Sequence, residues 1–429
     1  MSRILVLCAD GTCNAFGSSS SNVARLIEHL DLDHATAQIA CYDQGIGTRA
    51  DQLAPIVAFR ERLADREALH LLPAPGDSWS RPWTWPFLVG SMMFGWGLEA
   101  NVRQLYVKLA DLYEPGDTIF LFGFSRGAFT VRALAGLTWR YGIPASGGAA
   151  GADRLFTRAW HLFRDEYPDE DGTKAGLALR FREQSKVREC PIHFLGLWDT
   201  VKSYGGLRPV MLPHLRHNPS VAIVRHALAL DERRGWFDAT TWGALDSDSQ
   251  PDAAMSRLDE STLAAIRTQD VAEVWFSGCH ADVGGGAGNV RTSDIALRWM
   301  LGEAADAGLK LNAMGRDFLA TPRTSEVPAM NDSHTAFWRG IEWIPRRAID
   351  NSGRWPRRFW ATRGPAARTP LVHPRGQRVL FHESVAEPQR LGRVPEGVTL
   401  EPASTLRTDP TRDPMRASGR RAQHRATFQ

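Results

Sequence analysis

The run Gly123-Phe124-Ser125-Arg126-Gly127 sets a serine between two glycines, with one residue intervening on each side. A serine hydroxyl attacks a carbonyl only when a histidine takes its proton and a carboxylate keeps that histidine in the right tautomer. The spacing is that of a nucleophile elbow, a strand-to-helix turn too tight for side chains two before and two after the serine. Such a turn lifts the hydroxyl into the open and presents the next N–H, here that of Arg126, to the substrate oxygen. In folds that use this turn, the acid and then the base follow the serine along the chain. His280 fits the base, in the glycine-rich loop Gly278-Cys279-His280-Ala281-Asp282-Val283-Gly284-Gly285-Gly286. Asp199 fits the acid, directly after the apolar run Ile192 to Trp198. The chemistry expected of Ser125, Asp199 and His280 is acyl transfer through an acyl-enzyme.

Other residues compete for these roles. His226, within Val224 to Glu232, reads as a helix residue and is the weaker base. Asp282 lies after the histidine and only two residues away, so its expected role is to brace the glycine loop; Asp231 and Asp43 stay unassigned. Cys279 beside His280 reads as a packing residue rather than a thiol nucleophile, because neighbouring residues at a strand end point to opposite faces. Asp10-Gly11-Thr12 follows the first apolar run, and the Gly11 and Thr12 backbone is expected to complete the oxyanion hole with Arg126. The same triplet occurs in aspartate-nucleophile phosphatases, but Cys8 stands where their nucleophilic carboxylate would be. No Walker loop, His-Glu-x-x-His or metal-ligand cluster occurs, and no metal or organic cofactor is expected. The uncharged run Pro82 to Leu98 is too broken by Pro and Gly to be a membrane helix. It reads as a lid, with Trp83, Trp85 and Phe87 as candidates to line an acyl-chain pocket; ordinary packing of that lid on the core is the equal alternative.

The elements that must position these residues follow from periodicity. Ile4 to Ala9 reads as a strand, and Asn22 to His29 as a helix capped by the serines before it. Ile39 to Tyr42 reads as a second strand. Leu98, Val102, Leu105, Leu109 and Leu112 recur at helical steps. Thr118 to Phe122 is a short apolar run of the buried parallel type, and Ala128 to Trp139 is helical again. Later strands are expected at Ile192 to Trp198 and Val271 to Ser277, with a helix at Ser293 to Met300. Val379 to Phe381 reads as one last strand. Helix, strand, sharp turn and helix in this order specify an α/β-hydrolase-like, doubly wound, mostly parallel sheet. The expected organisation is a catalytic domain over 1–310 with an insertion at about 50–95, an irregular extension over 311–400 packed on it, and a disordered tail over 401–429.

The five cysteines are odd in number and scattered, without a Cys-x-x-Cys pair, which argues against a disulfide framework and fits a reducing compartment. Ile4 to Ala9 is too short for the apolar core of a signal peptide. The protein is therefore expected in the cytoplasm as synthesised, with signal-independent export left open. From Glu342 to Gln429 the chain has 17 Arg, no Lys and 8 acidic residues, a net of +9, so the preceding residues carry −6 of the total +3. Such a tail could meet an acidic partner, an anionic membrane or nucleic acid; the reading adopted is a solvated, partly disordered extension, and no nucleic-acid partner is expected.

Six blocks together resemble a bacterial α/β-hydrolase-like family of formerly unknown function that includes the first class of type VI secretion lipase effectors. They are Asp10 to Asn14, Tyr42 to Thr48, Gly116 to Arg132, Leu197 to Val201, His226 to Arg234 and Trp275 to Gly285, in the family's order over about residues 3 to 300. Cys13 stands where an aromatic residue is usual in the family. By the resemblance the family's Ser, Asp and His fall on Ser125, Asp199 and His280. It implies hydrolysis of carboxylic esters, with lipids or phospholipids as substrates, contact with a membrane surface and a partner in the secretion machinery. The alternatives are a thioesterase or peptidase on the same triad, or a catalytically silent binding module of the same fold.

Overall fold

The computed structural model describes residues 2–11, 20–43, 68–71, 97–165, 173–201, 212–242, 259–286, 290–321 and 330–343, with shorter pieces at 204–205, 208–209, 346–349, 358–361, 368, 378–385 and 399–402. Its centre is a sheet of β1 (Ile4–Ala9), β2 (Gln38–Asp43), β3 (Leu69–Leu71), β4 (Thr118–Phe124), β5 (Ile192–Trp198), β6 (Val221–Ala229), β7 (Asp270–Phe276), β8 (Arg378–Phe381) and β9 (Thr399–Pro402). Across the sheet the order is β9-β8-β7-β6-β5-β4-β1-β2-β3. Every neighbouring pair in it is parallel. The strands' carboxyl ends therefore share one edge.

Helices cover both faces. They are α1 (Asn22–Glu28), α2 (Leu98–Leu112), α3 (Arg126–Tyr141), α4 (Gly148–Asp165), α5 (Thr173–Ser185), α6 (Glu260–Arg267), α7 (His280–Gly284), α8 (Val290–Asp306), α9 (Ala313–Ala320) and α10 (Ala336–Ile341). The two-residue period of the strands divides the core. Leu5, Leu7, Ile119, Leu121, Leu195 and Leu197 pack under α2, α3 and α4. Val6, Cys8, Phe120, Phe122, Phe194 and Trp198 pack on the other face, under α1 and α8. Strands buried on both faces are apolar at nearly every position, which is why these runs lack alternation. Each such side chain contributes roughly 1.5–3 kcal/mol relative to exposure. The α/β-hydrolase-like, doubly wound fold expected from the sequence is the fold observed.

Two local expectations differ. Val224 to Glu232 reads as helical, yet Val221–Ala229 is β6, a central strand. Its Ala, Leu and Arg residues favour helix on propensity alone, and two charged-type residues inside a strand argue against burial. Tertiary partners reverse that preference. Arg225 is held by Asp270 at 2.8 Å and by Glu303 on α8 at 2.5 Å. His226 is held by Glu273 of β7 at 2.9 Å. The second difference is within the expected insertion, where Leu69–Leu71 pairs with β2 as the sheet's edge. The rest of that insertion, including Trp83, Trp85 and Phe87, lies outside the described residues, as does the tail beyond Pro402. In the C-terminal extension, β8 and β9 extend the sheet past β7.

Strand order reverses beside β1: β2 and β3 lie on one side of it, β4 and all later strands on the other. Loops leaving β1 and β4 part there, the usual ligand position in such sheets. Asp10 follows β1 and Ser125 follows β4.

Candidate active site

Ser125 joins β4 to α3 with φ 58° and ψ −121°, a conformation that a residue with a side chain adopts only under constraint. The constraint comes from the flanking glycines. A Cβ on Gly127 would stand 2.1 Å from the Ala9 carbonyl oxygen, and one on Gly123 would stand 2.6 Å from the backbone of Ala128. The start of α3 thus presses against the end of β1 with no room for a methyl group. The Ser125 N–H donates to the Trp198 carbonyl at 3.0 Å, which ties the turn to the end of β5. Arg126 opens α3, and a first-turn N–H is one that a helix does not satisfy with its own carbonyls.

Asp199 follows Trp198 directly and is also strained, with φ 40°. Its N–H donates to the Ala227 carbonyl at 2.7 Å. Its carboxylate is fully buried. Oδ1 accepts from the Ala229 N–H at 3.0 Å and Oδ2 from His280 Nδ1 at 2.6 Å. Burial would raise its pKa, but the Arg368 guanidinium and the His280 bond outweigh that and hold the carboxyl well below the usual range. These partners favour the ionised form of Asp199.

His280 opens α7, just past β7, and is buried. Its ring packs on Phe124, the neighbour of Ser125, with centroids 4.6 Å apart, and edge-on against Phe237 at 5.0 Å. Burial lowers its pKa below the ordinary value, against the opposing pull of Asp199. A neutral imidazole that donates from Nδ1 to a carboxylate carries its lone pair on Nε2, the form a general base requires.

Glu232, to which sequence reasoning assigned no role, supports this histidine from behind. Its carboxylate accepts the His280 N–H at 3.2 Å, the Ser333 hydroxyl at 3.0 Å and the Arg234 N–H at 2.8 Å. Burial opposes its ionisation, but the Arg234 side chain outweighs that and brings its pKa to about 2. Arg234 itself lies 3.7 Å over the Phe237 ring. Glu232 stood in a block of the sequence that drew notice; nothing in its spacing tied it to His280.

The rival residues have structural duties. Asp282 Oδ2 accepts the Cys279 N–H at 3.0 Å and the Asn331 N–H at 3.1 Å, so it braces the glycine loop as expected. Asp231 accepts the Gly278 N–H at 2.7 Å. His226 is buried within the sheet, with both ring nitrogens engaged. The Cys279 thiol is pushed up to about 12, chiefly by burial, which keeps it from acting as a thiolate. Among the described residues no group of three or more His, Cys, Asp and Glu could hold a metal ion.

The loop after β1 is anchored by Asp10. Its Oδ2 accepts the Ser21 hydroxyl at 2.5 Å and the Tyr42 hydroxyl at 2.7 Å. Its Oδ1 accepts the Gly11 N–H at 2.6 Å. Gly11 would have to give up that bond to serve an oxyanion. Thr12 lies outside the described residues.

Comparison with known proteins places the chain in a family. Residues 3–303 match the family model described as the type VI secretion system phospholipase effector Tle1-like catalytic domain. The chain is 34% identical over 239 residues to an uncharacterized protein of Saccharomyces cerevisiae, covering 54% of this chain and 32% of that one. Among solved structures it is similar to an uncharacterized protein from Pseudomonas aeruginosa, at 21% identity and a TM-score of 0.38, over 75% of this chain and 48% of that one. It is also similar to the Tle1 effector bound to the VgrG spike, at 14% identity and a TM-score of 0.24, over 67% and 52% of the two chains. The chain thus spans between a third and about half of the length of these relatives. Among the described residues no helix is long and apolar enough to cross a membrane. The match over most of the chain shows that it belongs to the Tle1-like phospholipase effector family of type VI secretion, through that family's catalytic domain.

Proposed function

We propose that the protein hydrolyses carboxylic ester bonds of phospholipids through an acyl-enzyme on Ser125. The observation that carries this reading is the 2.6 Å bond from His280 Nδ1 to a buried Asp199, made beside a strained serine turn whose Phe124 packs on the same imidazole. Ser125 Oγ attacks the acyl carbonyl carbon while its proton passes to Nε2 of His280. The imidazolium is stabilised by Asp199, which stays ionised. Oxyanion charge falls to the Arg126 N–H and, from the loop after β1, to the Gly11–Thr12 backbone, where Gly11 exchanges its bond to Asp10 for the substrate oxygen. Collapse of the tetrahedral intermediate breaks the C–O bond, and the Nε2 proton leaves with the alcohol. Water, deprotonated by the same nitrogen, then releases the fatty acid and restores Ser125.

Family membership supports a lipid substrate, contact with a membrane surface and delivery by the secretion machinery without a signal peptide. We assign the acyl chain to the uncharged segment that carries Trp83, Trp85 and Phe87. A fluorophosphonate probe and a series of phospholipids of defined acyl length test the reading together. The wild-type protein is expected to take the label and release fatty acid, and Ser125→Ala to do neither. Label or hydrolysis surviving in Ser125→Ala would remove the serine from the mechanism.

A further inference from the structure

Arg368 belongs to the C-terminal extension, beyond the residues 3–303 that match the family model. Its Nη1 donates to Asp199 Oδ1 at 2.5 Å and its Nη2 to Oδ2 at 3.1 Å. The same guanidinium donates to the main-chain carbonyls of Ala229, at 2.9 Å, and Phe237. Its side chain is only 9% exposed. With Ala229 N–H and His280 Nδ1, the two oxygens of Asp199 thus accept four hydrogen bonds. Ser125, Asp199 and His280 themselves lie within the matched region.

We propose that Arg368 is a positioning residue of the active site: it fixes the Asp199 carboxylate in the orientation His280 requires, and so makes catalysis depend on the docked C-terminal extension. The proposal rests on the reading of Ser125, Asp199 and His280 as a triad. A carboxylate that can turn about both of its side-chain torsions, attached to a backbone at φ 40°, needs fixed donors to hold one orientation. A planar guanidinium supplies two parallel ones, which a point-charge ammonium does not. Its two carbonyl contacts anchor the fork to the ends of β6 and the loop after it.

The guanidinium also places a positive charge on the carboxylate that must stabilise the imidazolium. Removing it leaves Asp199 freer to attract a proton to His280, so the histidine titrates at higher pH. The surrounding charges are fixed by other elements. Glu232 and Arg234 face His280 from the loop after β6, and Asp282 lies two residues along α7. Asp238 and Glu232 face Arg368. Behind Asp199 lies His226, with Glu273 and Arg132 around it.

Arg368→Gln is the test, measured on the full chain with a soluble short-chain ester across pH, alongside a thermal melt and fluorophosphonate labelling. The expected result is a loss of about tenfold or more in kcat with KM little changed, and an acid limb displaced to higher pH. A folded glutamine variant with wild-type kcat and an unmoved acid limb overturns the proposal. If the glutamine variant does not fold, Arg368→Lys decides, because lysine keeps the charge without the fork. A folded lysine variant several-fold lower in kcat supports positioning, and one with unaltered kcat overturns it. Failure of the wild-type protein to label at Ser125 would instead remove the underlying triad reading.

Discussion

Two imidazole–carboxylate pairs lie close together in this sheet, and only one is placed for chemistry. In the middle of the sheet, His226 Nδ1 meets Glu273 at 2.9 Å, while its Nε2 accepts the Thr200 N–H at 3.1 Å. At the carboxyl edge, His280 Nδ1 meets Asp199 at 2.6 Å. Burial lowers the proton affinity of both histidines. What differs is the second nitrogen. That of His226 is spent on the backbone beside Asp199, so this histidine props up the acid. That of His280 belongs to a ring packed on Phe124 at a tilt, beside the strained serine. A carboxylate-bound histidine is therefore not in itself a catalytic one; the outcome depends on whether the strand has ended and left Nε2 for a substrate.

The comparison breaks most sharply by exchanging the two losses. His280→Ala should lower kcat on a soluble ester by about a millionfold, the scale seen when a triad base is removed, while the melt stays near that of the wild type. A residual rate within a hundredfold of wild type would mean that the base is another residue. His226→Ala should do the reverse. It takes the acceptor from the buried Thr200 N–H and one donor from Glu273 Oε1, which keeps the Trp242 N–H at 2.6 Å, at a cost of about 2–4 kcal/mol in stability, and per folded molecule kcat should stay within about tenfold. Denaturant unfolding set beside active-site titration separates these effects, and a near-dead but stable His226→Ala would erase the distinction.

The smallest effect sharpens the contrast. The proposed reaction needs neutral His280, and burial lowers its pKa below that of an ordinary histidine, about 6.5. The acid limb of kcat/KM should therefore fall on the acid side of an ordinary histidine's titration. A limb centred above 6.5 would show that Asp199 outweighs burial, and that the imidazole rests more highly charged than its surroundings imply.

Much of the site was legible in the chain because its requirements are local. A serine turn this tight leaves no room for Cβ atoms at Gly123 and Gly127, so the steric need is written into the sequence. The runs ending at Phe124, Trp198 and Phe276 are apolar at most positions because both faces of those strands are covered. Ser21 capping α1, with its hydroxyl accepting the Ala24 N–H at 3.1 Å, is likewise a local rule. From such signals the proposed nucleophile, the chain order of the proposed acid and base, and the doubly wound sheet all follow.

Other features were decided only by the folded chain. β6 has the composition of a helix; its Arg225 and His226 are tolerated in a strand because Asp270, Glu303 and Glu273 arrive from other elements to pair with them. Glu232 behind His280 and Arg368 on Asp199 have no spacing rule that connects them to the serine, since their contacts span 48 and 169 residues. A chain of 17 arginines after residue 341 offers no mark that separates one of them from the rest. Steric and periodic constraints act between near neighbours and are readable in order along the sequence. Hydrogen bonds to a buried charge depend on which distant donor reaches it, and that is settled only when the strands, loops and C-terminal extension are packed together.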